Sequence, residues 1–151
     1  MNDLDDPKPC YYVGRSMFEG FERYSNPRVH EFPRKKTEVL WGLHRLDTPC
    51  KQVIVCEGIF SAVRMPNAAA ILGKWISEAQ IALLCRIATE EVVVMLDGEA
   101  EVEAATACKR ISEQFPGRVS RARLPFNKDP DELVLAGWDV GDFIKKREVM
   151  A

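Results

Sequence analysis

From residue 53 onward the chain alternates short apolar runs with amphipathic stretches, the pattern of strands followed by helices. Val53-Ile54-Val55-Cys56 is wholly apolar, as a parallel strand covered on both faces must be. Residues 60–64 read as a short helix ending before Pro66, because proline disfavours helix in the residue it follows. Residues 69–72 form a second strand candidate that stops at Gly73. Ser77-Glu78-Ala79-Gln80 has the S-x-x-Q form of a capping box and predicts a helix running to about residue 87. Val92-Val93-Val94-Met95-Leu96 is the strongest strand candidate, with three consecutive β-branched residues, and it ends at Asp97-Gly98-Glu99. A long helix over residues 100–114 is closed by Pro116-Gly117, and residues 119–124 supply another strand. Asp129-Pro130 then opens a helix, with Asp129 as N-cap and Pro130 in the first turn.

Residues 1–50 lack this regularity. A short strand is predicted over 11–13 and a short helix over 38–45, among scattered prolines and glycines. The boundary falls near Thr48-Pro49-Cys50-Lys51. This divides the chain into an irregular segment (1–50), an α/β domain (51–145) and a tail (146–151). Repeated strand-helix units predict a mostly parallel central sheet flanked by helices on both faces.

Charge sharpens the division. Between Arg23 and Lys51 there are seven Lys/Arg against three Asp/Glu, whereas from Val53 onward twelve basic residues face fifteen acidic ones. A basic segment beside an acidic one suits a polyanion held next to a cation site, although a solvated basic face produces the same count. Five cysteines without a C-x-x-C pair argue against a zinc ribbon or a disulfide framework, and Cys56, Cys85 and Cys108 read as buried free thiols. No apolar run approaches the roughly 18–20 residues of a membrane span, and the acidic start has no apolar leader-like stretch, so no membrane partner and a cytoplasmic location are expected. P-loop, G-x-G-x-x-G and G-x-S-x-G motifs are absent, which leaves a nucleotide-binding kinase, a Rossmann dehydrogenase and a serine hydrolase unsupported.

In open parallel sheets, ligands bind outside the carboxyl ends of the strands. Three acidic groups fall there: Glu57, then Asp97 with Glu99, then Asp129 with Asp131. Carboxylates gathered in this way repel unless a cation joins them, and Mg²⁺ takes one or two carboxylates plus waters and phosphate oxygens. Glu101 and Glu103 suit the N-terminus of the following helix.

These motifs carry a family resemblance. Val53-Ile54-Val55-Cys56-Glu57-Gly58 resembles the strand-Glu-Gly motif of Toprim domains, and Met95-Leu96-Asp97-Gly98-Glu99-Ala100 resembles their D-x-D motif. Leu124-Pro125 with Lys128-Asp129-Pro130-Asp131 is similar to the P-x-x-K-D-P-D segment of bacterial and phage DNA primases. Upstream, Arg23-Tyr24-Ser25-Asn26-Pro27 and Leu40-Trp41-Gly42-Leu43 resemble the elements that precede Toprim in those enzymes. The resemblance implies a Rossmann-like Toprim fold after a short irregular basic segment, and a primase-type nucleotidyltransferase core making RNA on single-stranded DNA. It implies Glu57 as general acid/base or metal-proximal carboxylate, with Asp97, Glu99, Asp129 and Asp131 around Mg²⁺ or Mn²⁺. Arg23, Arg34, Lys35 and Lys36 are expected along the template or the nucleotide. Lys128 either pairs with Asp131 or touches a phosphate. Ser61 stands where primases usually carry an Asp, and neither a zinc-binding module nor a helicase is present in this segment, so a helicase or another replication protein is an expected partner. A Toprim-type metal-dependent nuclease and a non-enzymatic nucleic-acid or replication-protein binding module remain the alternatives.

Overall fold

The computed structural model describes residues 11–18, 20, 24–28 and 30–150. A small antiparallel pair, β1 (Gly14–Arg15) and β2 (Tyr24–Ser25), precedes the main sheet. The sheet contains β3 (Cys50–Cys56), β4 (Ala68–Ala70), β5 (Ala88–Val94), β6 (Arg118–Arg121) and β7 (Glu148–Val149), in the order β4-β3-β5-β6-β7. The first four are parallel and β7 runs antiparallel to β6. Between them lie α1 (Ile59–Arg64), α2 (Glu78–Ile87), α3 (Glu101–Ser112), α4 (Pro130–Leu135) and α5 (Val140–Lys145). This is the mostly parallel, helix-flanked sheet expected from the sequence.

The apolar runs are explained by cover on both faces. Val53, Val55, Val92 and Val94 point into one core with Ile81, Leu84 and Ile87 of α2 and Ala107, Cys108 and Ile111 of α3. Ile54, Cys56, Val93 and Met95 point into the other, against Ala62 of α1, Leu133 of α4 and Val140 of α5. Burying each such side chain contributes about 1.5–3 kcal/mol before chain entropy is subtracted, and β3 and β5 bury theirs on both sides. Cys56 and Cys108 are buried free thiols as expected, while Cys85 is half-buried.

The capping box at Ser77 forms: the Ser77 hydroxyl accepts from the Gln80 amide N–H (3.1 Å), and Gln80 Oε1 accepts from the Ser77 N–H (3.0 Å). Gln80 is itself buried, and its Nε2 donates to the carbonyls of Val39 and Ile71, both at 2.9 Å. One side chain therefore caps α2 and ties the N-terminal segment to the end of β4. Val39, Leu40, Leu43 and Leu46 are buried as well, and the last three join the same core as β3 and β5.

Three local expectations are corrected. Residues 11–13 form no strand, and pairing falls instead on Gly14–Arg15. The helix expected over 38–45 is two 3₁₀ turns, Lys36–Glu38 and Leu43–Arg45. Trp41 breaks it by exchanging backbone hydrogen bonds with Ala70 (2.9 Å each way), and Gly42 follows at φ +97°, a conformation that only glycine adopts readily. Residues 146–151, expected as a tail, carry β7, and α5 leads into them. No described helix is long and apolar enough to cross a membrane.

Candidate functional site

Numbered from β3, the strand order is 2-1-3-4-5, which places the topological switch point between β3 and β5. Glu57 follows β3 directly and Asp97 follows β5 by three residues, so the two acids emerge side by side at the crevice. They line a cavity of about 440 Å³ together with Glu99, Lys128, Asp129 and Asp131, and with Arg15 and Ser61. The loop carrying Asp129 is docked there by backbone contacts. Gly98 N–H donates to the Lys128 carbonyl (2.8 Å), and a Cβ on Gly98 would lie 1.9 Å from the Pro125 carbonyl oxygen. Only glycine lets the Asp97-Gly98-Glu99 turn approach the Pro125–Asp129 loop this closely.

The site is electrostatically strained in the direction a cation relieves. Glu57 Oε2 is buried with no hydrogen-bond partner, and burial raises the Glu57 carboxyl above its ordinary range, with Lys74 opposing and Glu99, Glu103 and Asp129 adding to the rise. Asp97 is pushed up to about 7, first by burial and then by Glu57, Asp129 and Glu99. Lys74 is the nearest compensation: its Nζ lies 3.2 Å from Glu99 Oε1, and that hydrogen bond raises its own pKa. An orphaned carboxylate oxygen beside a second buried carboxyl that its acidic neighbours push up is a donor set that fits a hard divalent cation, whose binding displaces the proton. Among the described residues no three acid, His or Cys side chains form a ready-made cage. That suits an ion that keeps waters or phosphate oxygens among its ligands.

The other residues singled out in the sequence fall into three places. Asp129 caps α4, its Oδ1 accepting from the Glu132 N–H (2.7 Å), while also lining the cavity. Asp131 accepts from Arg64 Nε (2.8 Å), which ties α4 to α1 at the cavity wall. Lys128 sits 3.8 Å from Glu132, another acid of the cavity lining, so its charged partner is Glu132 rather than Asp131. Glu101 is ion-paired with Arg121 and Arg123 of β6 and the loop beyond it, away from the acidic centre. Lys36 lines a second cavity of about 380 Å³ that shares Arg15, Glu57, Gly58 and Phe60 with the first. Arg34 and Lys35 line neither cavity, and Arg23 lies outside the described residues. Sequence reasoning missed Arg15, Arg64 and Lys74, because each reaches the site through a contact distant in sequence.

Comparison with known proteins follows the same lines. The family described as Toprim-like matches residues 54–134. A DNA primase of Deinococcus radiodurans is 29% identical over 149 residues, covering 91% of this chain, and the chain spans only 23% of that protein's length. The solved zinc-binding and RNA polymerase domains of the Aquifex aeolicus primase share the fold with a TM-score of 0.78 at 24% identity, over 93% of this chain and 38% of theirs. A DNA primase domain from Pseudomonas aeruginosa gives a TM-score of 0.75 at 25% identity, over 92% of this chain and 47% of its own.

Proposed function

The chain belongs to the Toprim-like family, and from that membership we propose that it is the core of a primase-type nucleotidyltransferase, joining ribonucleotides on single-stranded DNA with Mg²⁺ or Mn²⁺. The observation that carries the reading is the orphaned Glu57 Oε2 beside Asp97 at the switch point, where an acidic cavity adjoins one edged by cations. Asp97 and Glu99 hold the cation in this reading, and Asp129 and Asp131 extend the acidic wall. When bound, the ion neutralises phosphate charge and activates the attacking oxygen. Glu57, whose carboxyl burial raises above its ordinary range, is the group placed to take the proton of the hydroxyl that attacks. Arg15, Lys36 and Lys128 edge the cavities and hold nucleotide phosphates. Arg23, Arg34 and Lys35 belong with the template backbone. A helicase or another replication protein is the partner this core would work with in a larger assembly.

The test begins with the ion. Calorimetry should show Mn²⁺ or Mg²⁺ binding by the wild type and not by Asp97→Ala/Glu99→Ala. The wild type should then extend primers from four ribonucleotides on single-stranded templates, and the double variant should not. Absence of product under either metal would sink the autonomous enzyme. Ser61, in place of the usual Asp, favours a second reading, a module that binds single-stranded nucleic acid without turnover. In that case binding would weaken with salt yet survive loss of Asp97 and Glu99.

A further inference from the structure

We infer that Phe60, with Arg15 laid over its ring, is a stacking wall for the base of a bound nucleotide; this deepens the function proposed above and rests on it. Phe60 lies on α1 three residues beyond Glu57 and is 43% exposed, while its neighbours Ser61 and Ala62 are buried. The packing of α1 is thus carried by other residues, and the Phe60 ring is left at the rim. It lines both cavities, so it forms part of the wall between them. The Arg15 guanidinium carbon stands 4.8 Å from the ring centroid, which fixes one cation above the aromatic face.

The two cavities differ in chemistry. The first is dominated by carboxylates, which take a polyanion through a bridging metal cation, with Arg15 and Lys128 at its edge. The second is lined by Val13, Ile59, Phe60 and Leu72, with Arg15 and Lys36 as its cations and Glu57 at the border it shares with the first. Its volume of about 380 Å³ lies within the range of small-molecule sites, roughly 300–1,000 Å³. A ligand that satisfies both cavities needs a flat apolar part joined to a chain of phosphates, and a nucleotide is that ligand. Every base offers a π face, so such a wall raises affinity for nucleotides as a class without choosing among them.

The experiment compares ligands with and without a base. The whole chain, in Mg²⁺, is titrated with ATP and with inorganic tripolyphosphate, as wild type, Phe60→Leu and Phe60→Trp. Phe60→Leu is expected to weaken ATP by about five-fold or more and to leave tripolyphosphate unchanged. The Phe60→Trp variant should keep ATP affinity, with emission beyond that of the wild-type tryptophans quenched by ATP and not by tripolyphosphate. Equal weakening of both ligands, or ATP binding indifferent to Phe60→Leu, overturns the stacking wall while leaving the proposed function standing. Failure of the wild type to bind either ligand with Mg²⁺ overturns both.

Discussion

Asp97 is the residue at which burial and charge meet most directly. Its carboxyl is raised from 3.8 to about 7 in the fold, and the unfolded chain has no such environment. The native state therefore holds a proton that the unfolded state releases, so stability falls as pH rises from about 4 to about 7. Metal-free protein is expected to unfold at lower urea near pH 8 than near pH 5, and Asp97→Asn should flatten that slope. An unchanged slope in the variant would remove Asp97 as its source. Asp129 separates two roles in one side chain. Asp129→Ala loses the cap at a cost of about 1 kcal/mol, whereas Asp129→Asn keeps it. Urea midpoints should thus fall for Ala and hold for Asn, while cation affinity by calorimetry should fall for both. Equal stability loss would remove the capping role.

At the scale of elements, the turn after β5 and the loop before α4 act as one unit because Gly98 lets them touch. Adding a methyl there drives Cβ to within 1.9 Å of the Pro125 carbonyl oxygen, and the backbone must shift. Gly98→Ala is expected to cost about 1–3 kcal/mol, as overpacking does, and to weaken cation binding because Asp129 moves with its loop. Chemical unfolding and calorimetry on the same samples check both; a variant with wild-type values for each would show that the loops are not coupled. This contact also marks what the sequence reveals and what it hides. β3 and β5 were legible because both faces are covered, which makes the runs wholly apolar, and α2 and α4 were legible from Ser77 and Asp129 at their caps. The two-residue strands β1, β2 and β7 carry no periodicity at that length. The broken helix around Trp41 depends on Ala70, a partner 29 positions away, so nothing local announces it. The acidic strand ends could be read in order from the sequence. Their closure by Lys74, and the diversion of Asp131 to Arg64, required the tertiary fold.

Across the whole molecule, the sheet carries a second acidic centre with the reverse character. Glu91, midway along β5 and level with the start of β6, is buried, yet it accepts from Arg147 Nε (2.6 Å) and Nη2 (2.9 Å), Ser120 Oγ (2.6 Å), Gln52 Nε2 (2.6 Å) and Arg118 Nε (3.2 Å). Burial alone would raise its pKa, but these donors, led by Arg147, outweigh burial and hold it at about 2. Six residues of chain, about 20 Å if fully extended, separate this saturated carboxylate from Asp97, which faces the orphaned Glu57 across the acidic cavity. The middle of β5 therefore fastens the segment between α5 and β7 to the sheet, while its carboxyl end leads to the acidic cavity. Arg147→Met leaves a buried charge without its principal partner and is expected to cost about 3–5 kcal/mol. Because Glu91 is depressed, the stability it contributes is present above its unfolded value of 4.5 and is lost as pH falls toward about 2. The variant should therefore lose more stability at neutral pH than near pH 3, and Glu91→Gln/Arg147→Met should recover part of the loss. Cation affinity of the folded Arg147→Met protein should match the wild type, since the two centres share no side chain. A loss of cation binding in folded Arg147→Met would show instead that β5 couples the two centres.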